Sequence, residues 1–195
     1  MTDPETLKVY AARARDYDAL APDAPHATLR AFLAALTKGA RVLDLGCGPG
    51  RDAGHMAAAG MIVDACDASP EMVALAAARP GVSARQASFD DLEARAAYDG
   101  IWASFSLLHA PRAAMPLHLA AIARALKPGG LLGLTLKEGT GESRDRLGRF
   151  YTYYTEDELR ALLGAARLEV AQVTRGESRG LDGTTSQWIS VSAHA

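Results

Sequence analysis

Short apolar runs alternate along this chain with stretches in which apolar residues recur every three to four positions. The first kind reads as strands buried on both faces, the second as amphipathic helices. Strands are predicted over 41–45, 61–66, 83–88, 99–104, 130–137, 168–175 and 187–193, and helices near 50–59, 70–79, 112–126 and 155–166. Such alternation implies a parallel sheet with helices on both faces. Two helix starts carry their own signals: Ser69-Pro70, an N-cap followed by Pro at the first helical position, and Thr155-Glu156-Asp157-Glu158, a capping box. Only the Gly-rich stretch 176–185 separates the last two strands, so they are expected to pair antiparallel at one edge. Ahead of the sheet, 5–20 and 25–37 read as two helices joined at Ala21-Pro22-Asp23-Ala24-Pro25.

The first strand runs straight into glycines: Val42-Leu43-Asp44-Leu45-Gly46-Cys47-Gly48-Pro49-Gly50. Glycines let the backbone turn sharply and approach a ligand where a Cβ would collide, and the following helix would point its free N–H groups back at the loop. A dinucleotide fingerprint, Gly-x-Gly-x-x-Gly, fails by one residue, because Arg51 stands where its third glycine belongs. The second strand ends in Asp67, 19 residues after Gly48. A carboxylate there takes both hydroxyls of a ribose.

With Asp67-Ala68-Ser69-Pro70-Glu71-Met72, the segment Tyr98–His109, and Leu126-Lys127-Pro128-Gly129-Gly130-Leu131 following in order and spacing, residues 38 to 195 resemble the class I S-adenosylmethionine-dependent methyltransferases. The resemblance implies a three-layer α/β/α Rossmann-like fold. Its sheet would have seven strands, mostly parallel with an antiparallel last strand, in a single domain with a helical lid segment (1–38) and a catalytic core (39–195). It also implies S-adenosyl-L-methionine as cofactor. Gly46, Cys47, Gly48 and nearby carbonyls would take the methionine ammonium, and Arg51 or a side chain of the N-terminal helix its carboxylate. Asp44 would act from one layer back, or merely cap nearby N–H groups. Asp67 would hold the ribose, and Ala68 and Met72 would cover the adenine. Where the family commonly has Gly-Asp-Ala, this chain has Ala87-Ser88-Phe89, so the adenine contacts fall to Ser88 and the Phe89 N–H, with Asp90 in reserve. Ser104, at the end of the fourth strand, and Tyr17 complete the expected cofactor set. Tyr17 and Tyr10 are seven apart, share a face on one helix, and read either as a lid over the sulfonium or as ordinary core packing.

Methyl transfer is an in-line displacement, so catalysis rests on alignment, with a base needed only if the acceptor must lose a proton. His109 is the first choice for that base and equally a hydrogen-bonded structural residue. Tyr153, in Tyr151-Thr152-Tyr153-Tyr154, is the second catalytic candidate, walling the acceptor pocket. Lys137 to Phe150 is expected to be an irregular loop. Its Arg144, Arg146 and Arg149 would grip a carboxylate or phosphate, or else pair with Glu142 and Asp145.

Composition narrows the partners. A formal net charge of −2 over 195 residues leaves no electrostatic footprint for nucleic acid or an anionic membrane. The expected partner is a small-molecule methyl acceptor, anionic if the arginines grip it, and the expected assembly is a monomer or homodimer. No apolar run approaches a membrane span, and the acidic start Met1-Thr2-Asp3-Pro4-Glu5 is unlike a signal peptide, so the expectation is cytoplasmic. Cys47 and Cys66 are then free thiols. No histidine has a partner at metal-ligand spacing, and no metal is expected. A protein or RNA methyltransferase is disfavoured by the missing basic face and by Ser104-Phe105-Ser106-Leu107 standing where an Asn-Pro-Pro-Tyr-like stretch would be. A non-catalytic cofactor-binding regulator and a dehydrogenase are the remaining alternatives.

Overall fold

The computed structural model describes residues 3–20 and 24–195. The predicted link between the leader helices lies partly outside them, at 21–23. Strand β1 spans Arg41–Leu45, β2 Ile62–Asp67, β3 Val82–Gln86, β4 Tyr98–Ser104 and β5 Leu126–Lys137. Strands β6 (Glu142–Arg144) and β7 (Phe150–Thr152) form a separate two-stranded sheet, and β8 (Glu169–Arg179) and β9 (Thr185–His194) end the chain. The main sheet has the order β3-β2-β1-β4-β5-β9-β8. Its first five strands run parallel, and β9 inserts antiparallel between β5 and β8. The expected seven-stranded, mostly parallel sheet with an antiparallel last strand is therefore present.

Side chains alternate across β1, sending Val42 to one face and Leu43 and Leu45 to the other. On Val42's face, α3 (Ala27–Ala34), α4 (Arg51–Ala58) and α5 (Pro70–Ala77) close a core of Leu29, Phe32, Met56, Ala76 and Trp102. On the other face, α6 (Met115–Ala125) and α7 (Glu156–Ala165) bury Leu119, Ile122, Leu159 and Leu163. The two helix starts marked in the sequence are capped as expected at their N-cap oxygens: Ser69 Oγ accepts from the Met72 N–H and Thr155 Oγ1 from the Glu158 N–H, both at 3.3 Å. The Glu158 carboxylate does not complete the box and pairs instead with Arg112.

Two expectations need correction. The leader helix predicted over 5–20 is broken at Arg13 into α1 (Pro4–Ala12) and α2 (Ala14–Leu20). The Lys137–Phe150 segment is not irregular, because β6 and β7 pair antiparallel around a tight turn. In that turn the Gly148 N–H donates to the Asp145 carbonyl, and Asp145 Oδ1 accepts from the Leu147 and Arg149 N–H groups. Asp145 and Gly148 are the residue types a four-residue turn favours at its first and last positions.

Candidate active site

The carboxyl ends of β1, β2, β4 and β5 open into a cavity of about 400 Å³, roofed by Tyr10 of α1 and Tyr17 of α2. Open parallel sheets bind ligands at this edge, where adjacent crossovers leave it in opposite directions. Here that point lies between β1 and β4, since β1 leads by α4 to β2 on one side and β4 leads by α6 to β5 on the other.

The glycine loop is held by its own backbone. The Gly46 and Cys47 N–H groups both donate to the Cys66 carbonyl, at 2.8 and 2.9 Å. Gly46 has φ +76°, and a Cβ there would lie 2.4 Å from Ser106 Cβ, so the loop packs on the turn after β4 only because that position is bare. Ser106 Oγ in turn donates to the Leu45 carbonyl at 2.7 Å. Gly48 lines the cavity, and its N–H donates to Asp67 Oδ2 at 2.9 Å, while Asp67 Oδ1 accepts from the Ser69 N–H at 2.9 Å. Asp67 is thereby fixed against the loop, in the wall of the cavity. Burial raises its pKa, opposed by those N–H groups. Cys47 and Cys66 are both buried free thiols, and burial pushes the Cys66 thiol up to about 11.

Asp44 is 3% exposed, and its Oδ2 has no hydrogen-bond partner among the described residues. Burial, then the Asp52 charge, lifts its pKa well above the usual carboxylate range, with the Ala53 N–H opposing. Ala68, Met72, Ser88, Phe89 and Ser104 all line the cavity. Ser88 is held in a reciprocal cap with Asp91, whose Oδ2 accepts from the Ser88 N–H at 2.7 Å and from its hydroxyl at 2.9 Å. Asp90, the reserve, does not line the cavity.

Arg51 lines the cavity, but its Nε donates to Asp18 Oδ1 at 3.0 Å. Asp18 also accepts from Arg79, so this carboxylate pins α2 to both α4 and the end of α5. The break at Arg13 does not separate the tyrosines: the Tyr10 and Tyr17 rings meet edge to face at 5.4 Å.

His109 is 6% exposed, and both its nitrogens are engaged. The Phe150 carbonyl, 2.6 Å from Nδ1, only accepts, so Nδ1 carries the proton and Nε2 accepts from the Tyr10 hydroxyl at 2.9 Å. Tyr10 itself accepts from Arg149 Nη1 at 2.9 Å. Burial, then the Arg149 and Lys137 charges, brings the His109 pKa down to about 4, opposed by the bond to Phe150.

The arginine grip is not assembled. Arg144 pairs with Asp3, Arg146 bonds the Asp182 carbonyl, and Arg149, 1% exposed, gives Nε and Nη2 to Asp145. The alternative expectation, pairing with neighbouring acids, is what Arg149 does. Tyr153 does not line the cavity: it lies just past β7, with Ser143 Oγ 3.4 Å from its hydroxyl. Tyr151 lines the cavity instead, packed on His109 at 4.7 Å. Lys137 was not singled out from the sequence, yet it too lines the cavity, and its ammonium sits 3.8 Å over the Tyr151 ring. The available signal was a lysine ending an apolar strand, the same kind of signal that marked Asp67.

Residues 42–130 match the methyltransferase domain family. The chain has the class I S-adenosylmethionine-dependent methyltransferase fold. One solved relative is the 1,6-didemethyltoxoflavin-N1-methyltransferase of Burkholderia thailandensis, whose structure holds 1,6-didemethyltoxoflavin and S-adenosylhomocysteine. It is 26% identical, with a TM-score of 0.77 over 97% of this chain and 87% of that one. A ubiquinone biosynthesis O-methyltransferase of Xanthomonas oryzae pv. oryzae is 38% identical over 104 residues, 50% of this chain. A trans-aconitate 2-methyltransferase of Methylobacterium nodulans is 36% identical over 113 residues, 56% of this chain. In both, the matched segment spans 43% of the relative's length. The methyltransferase domain match ends at residue 130, so Lys137, Arg149 and Tyr151 of the cavity wall lie beyond it.

Proposed function

We propose that this protein transfers a methyl group from S-adenosyl-L-methionine to a small-molecule acceptor, with residues 1–38 as a lid over a 39–195 core in a single domain. The observation that carries the reading is Asp67, latched to Gly48 at the tip of β2 and facing a cavity roofed by two tyrosines. The residues fit the cofactor: bare glycines leave the loop open, and the unpartnered Asp44 Oδ2 offers a buried polar atom behind it. When bound, the cofactor supplies an electrophilic methyl on a cationic sulfur. Asp67 would hold the ribose hydroxyls, Met72, Ala68 and Phe89 the adenine with Ser88 at its edge, and the Gly46–Gly48 backbone the methionine end, supported by Asp44.

His109 is neutral, and its one lone pair is taken by Tyr10, so it positions the tyrosine and does not accept a proton. Alignment and exclusion of water are then the main catalytic contributions. The names of the three relatives, each a methyltransferase and each naming a small molecule it acts on or helps make, support the small-molecule reading. No helix among the described residues is long and apolar enough to cross a membrane.

Calorimetry with S-adenosylhomocysteine and NAD tests the assignment. One-to-one binding of S-adenosylhomocysteine with none of NAD is the expected result, and the reverse preference overturns it. A metabolite screen with labelled cofactor then identifies the acceptor.

A further inference from the structure

Lys137 ends the apolar strand β5 at the sheet's carboxyl edge, 8% exposed, in the wall of the cavity. Two other cations in that wall are each paired: Arg51 with Asp18, and Arg149 with Asp145. At the exposed rim, Arg179 gives its Nε to the Gly183 carbonyl. Among the described residues no carboxylate forms an ion pair with Lys137, and its close neighbour is the face of Tyr151. The carboxylates whose charge reaches it are already occupied. Asp145 accepts from Arg149 and two backbone N–H groups, and Asp182 accepts from the Thr184 N–H and hydroxyl. An ammonium taken out of water calls for a counter-charge, and a ring face supplies only part of one.

We propose that Lys137 anchors a carboxylate carried by the methyl acceptor, with Tyr151 beneath it and the Ser178 and Ser186 residues on the same wall. The inference rests on the methyltransferase reading and moves the anionic grip from the arginines of the β6–β7 hairpin to the end of β5. A monoanion matches this site better than a phosphate dianion. One ammonium is available, whereas the three nitrogens of Arg149 are committed to Asp145 and Tyr10.

The test titrates benzoate, cinnamate and citrate, beside benzamide, cinnamide and phenyl phosphate, into the full chain with and without S-adenosylhomocysteine. The same series is run on Lys137→Met and Lys137→Gln. At least one acid should bind tenfold or more tightly than its amide. Both variants should lose that preference while keeping their affinity for S-adenosylhomocysteine, which reports the fold. The proposal is overturned by acids and amides binding alike, by no acid binding, by phenyl phosphate outcompeting benzoate, or by an acid preference that survives in the variants. Failure of S-adenosylhomocysteine to bind would instead strike the methyltransferase reading, and the comparison of acid with amide stays readable without it.

Discussion

The Tyr10 hydroxyl donates to His109 Nε2 across 2.9 Å, although 99 residues separate the two in the chain. The bond joins the leader to the turn after β4, and it continues in both directions: Arg149 donates to Tyr10, and His109 donates to the Phe150 carbonyl. Every group in the chain has a complementary partner, which is what a buried polar network needs to be stabilising.

His109 makes stability depend on pH. An unfolded imidazole titrates near 6.5, while the folded one is held at about 4. Between those values the unfolded state binds more protons, so the contribution is complete above pH 6.5 and is lost as pH falls toward 4. It amounts to about 3 kcal/mol at most. In His109→Gln this slope should vanish, and urea melts of both proteins at pH 7 and pH 4.5 measure it as a difference of differences. Equal pH dependence in the two would show that folding leaves the His109 pKa unshifted.

Asp67→Ala should weaken S-adenosylhomocysteine binding by roughly 2–4 kcal/mol, the loss of a charge-assisted pair of bonds to a ribose. The carboxylate also holds the Gly48 and Ser69 N–H groups, so a stability cost of about 1–2 kcal/mol should accompany it. Calorimetry and a thermal melt on the same variant separate the two effects. Undiminished affinity would remove Asp67 from the site.

Gly46 and Gly48 should fail differently. A Cβ at Gly46 meets Ser106 Cβ at 2.4 Å inside the protein, whereas at Gly48 it meets only the Tyr17 ring, at 3.6 Å. Gly46→Ala should therefore lower the melting temperature sharply. Gly48→Val should stay folded, at the strain cost of φ +52°, and lose cofactor binding because its side chain enters the cavity. A folded Gly48→Val that still binds tightly would reject the loop assignment.

The end of the cavity at β1 and β2 was legible because it is written locally. Val42 to Gly50 and Asp67 each declare strand, turn or carboxylate within a few residues, and β1 spans its predicted limits. The end at β5 and the β6–β7 hairpin was not. Glu142, Ser143 and Arg144 are all exposed, so β6 has no alternation to betray it, although Asp145 and Gly148 did spell out its turn. Partner choice was equally hidden. Arg149 and Asp145 are four apart and the sequence offers them as a pair, but nothing in it announces that Tyr10 completes Arg149, or that Lys137 is left facing the cavity. The break at Arg13 carries no glycine or proline, and contacts made far along the chain stand where a local signal is missing.

Those contacts revise what removing the leader should do. The sequence suggests that a chain lacking residues 1–20 keeps its stability and loses turnover, since the sheet does not need the leader for its core. In the folded protein, however, Thr6 is 1% exposed and accepts from the Phe150 N–H at 2.8 Å, Asp3 pairs with Arg144, and Tyr10 satisfies both Arg149 and His109. Truncation should therefore lower stability by a few kcal/mol, part of the loss being recovered as water reaches the uncovered groups. Tyr10→Phe isolates the lid from this loss. It keeps the ring against Tyr17 and removes only the hydroxyl, leaving Arg149 Nη1 and His109 Nε2 without it, at a cost of about 1–3 kcal/mol. If the leader closes over bound cofactor, Tyr10→Phe should retain most of its S-adenosylhomocysteine affinity, whereas the double variant Tyr10→Ala, Tyr17→Ala should lose at least tenfold. Calorimetry on the two, beside their thermal melts, decides it: unchanged affinity in the double variant would make the leader a structural strap and not a lid.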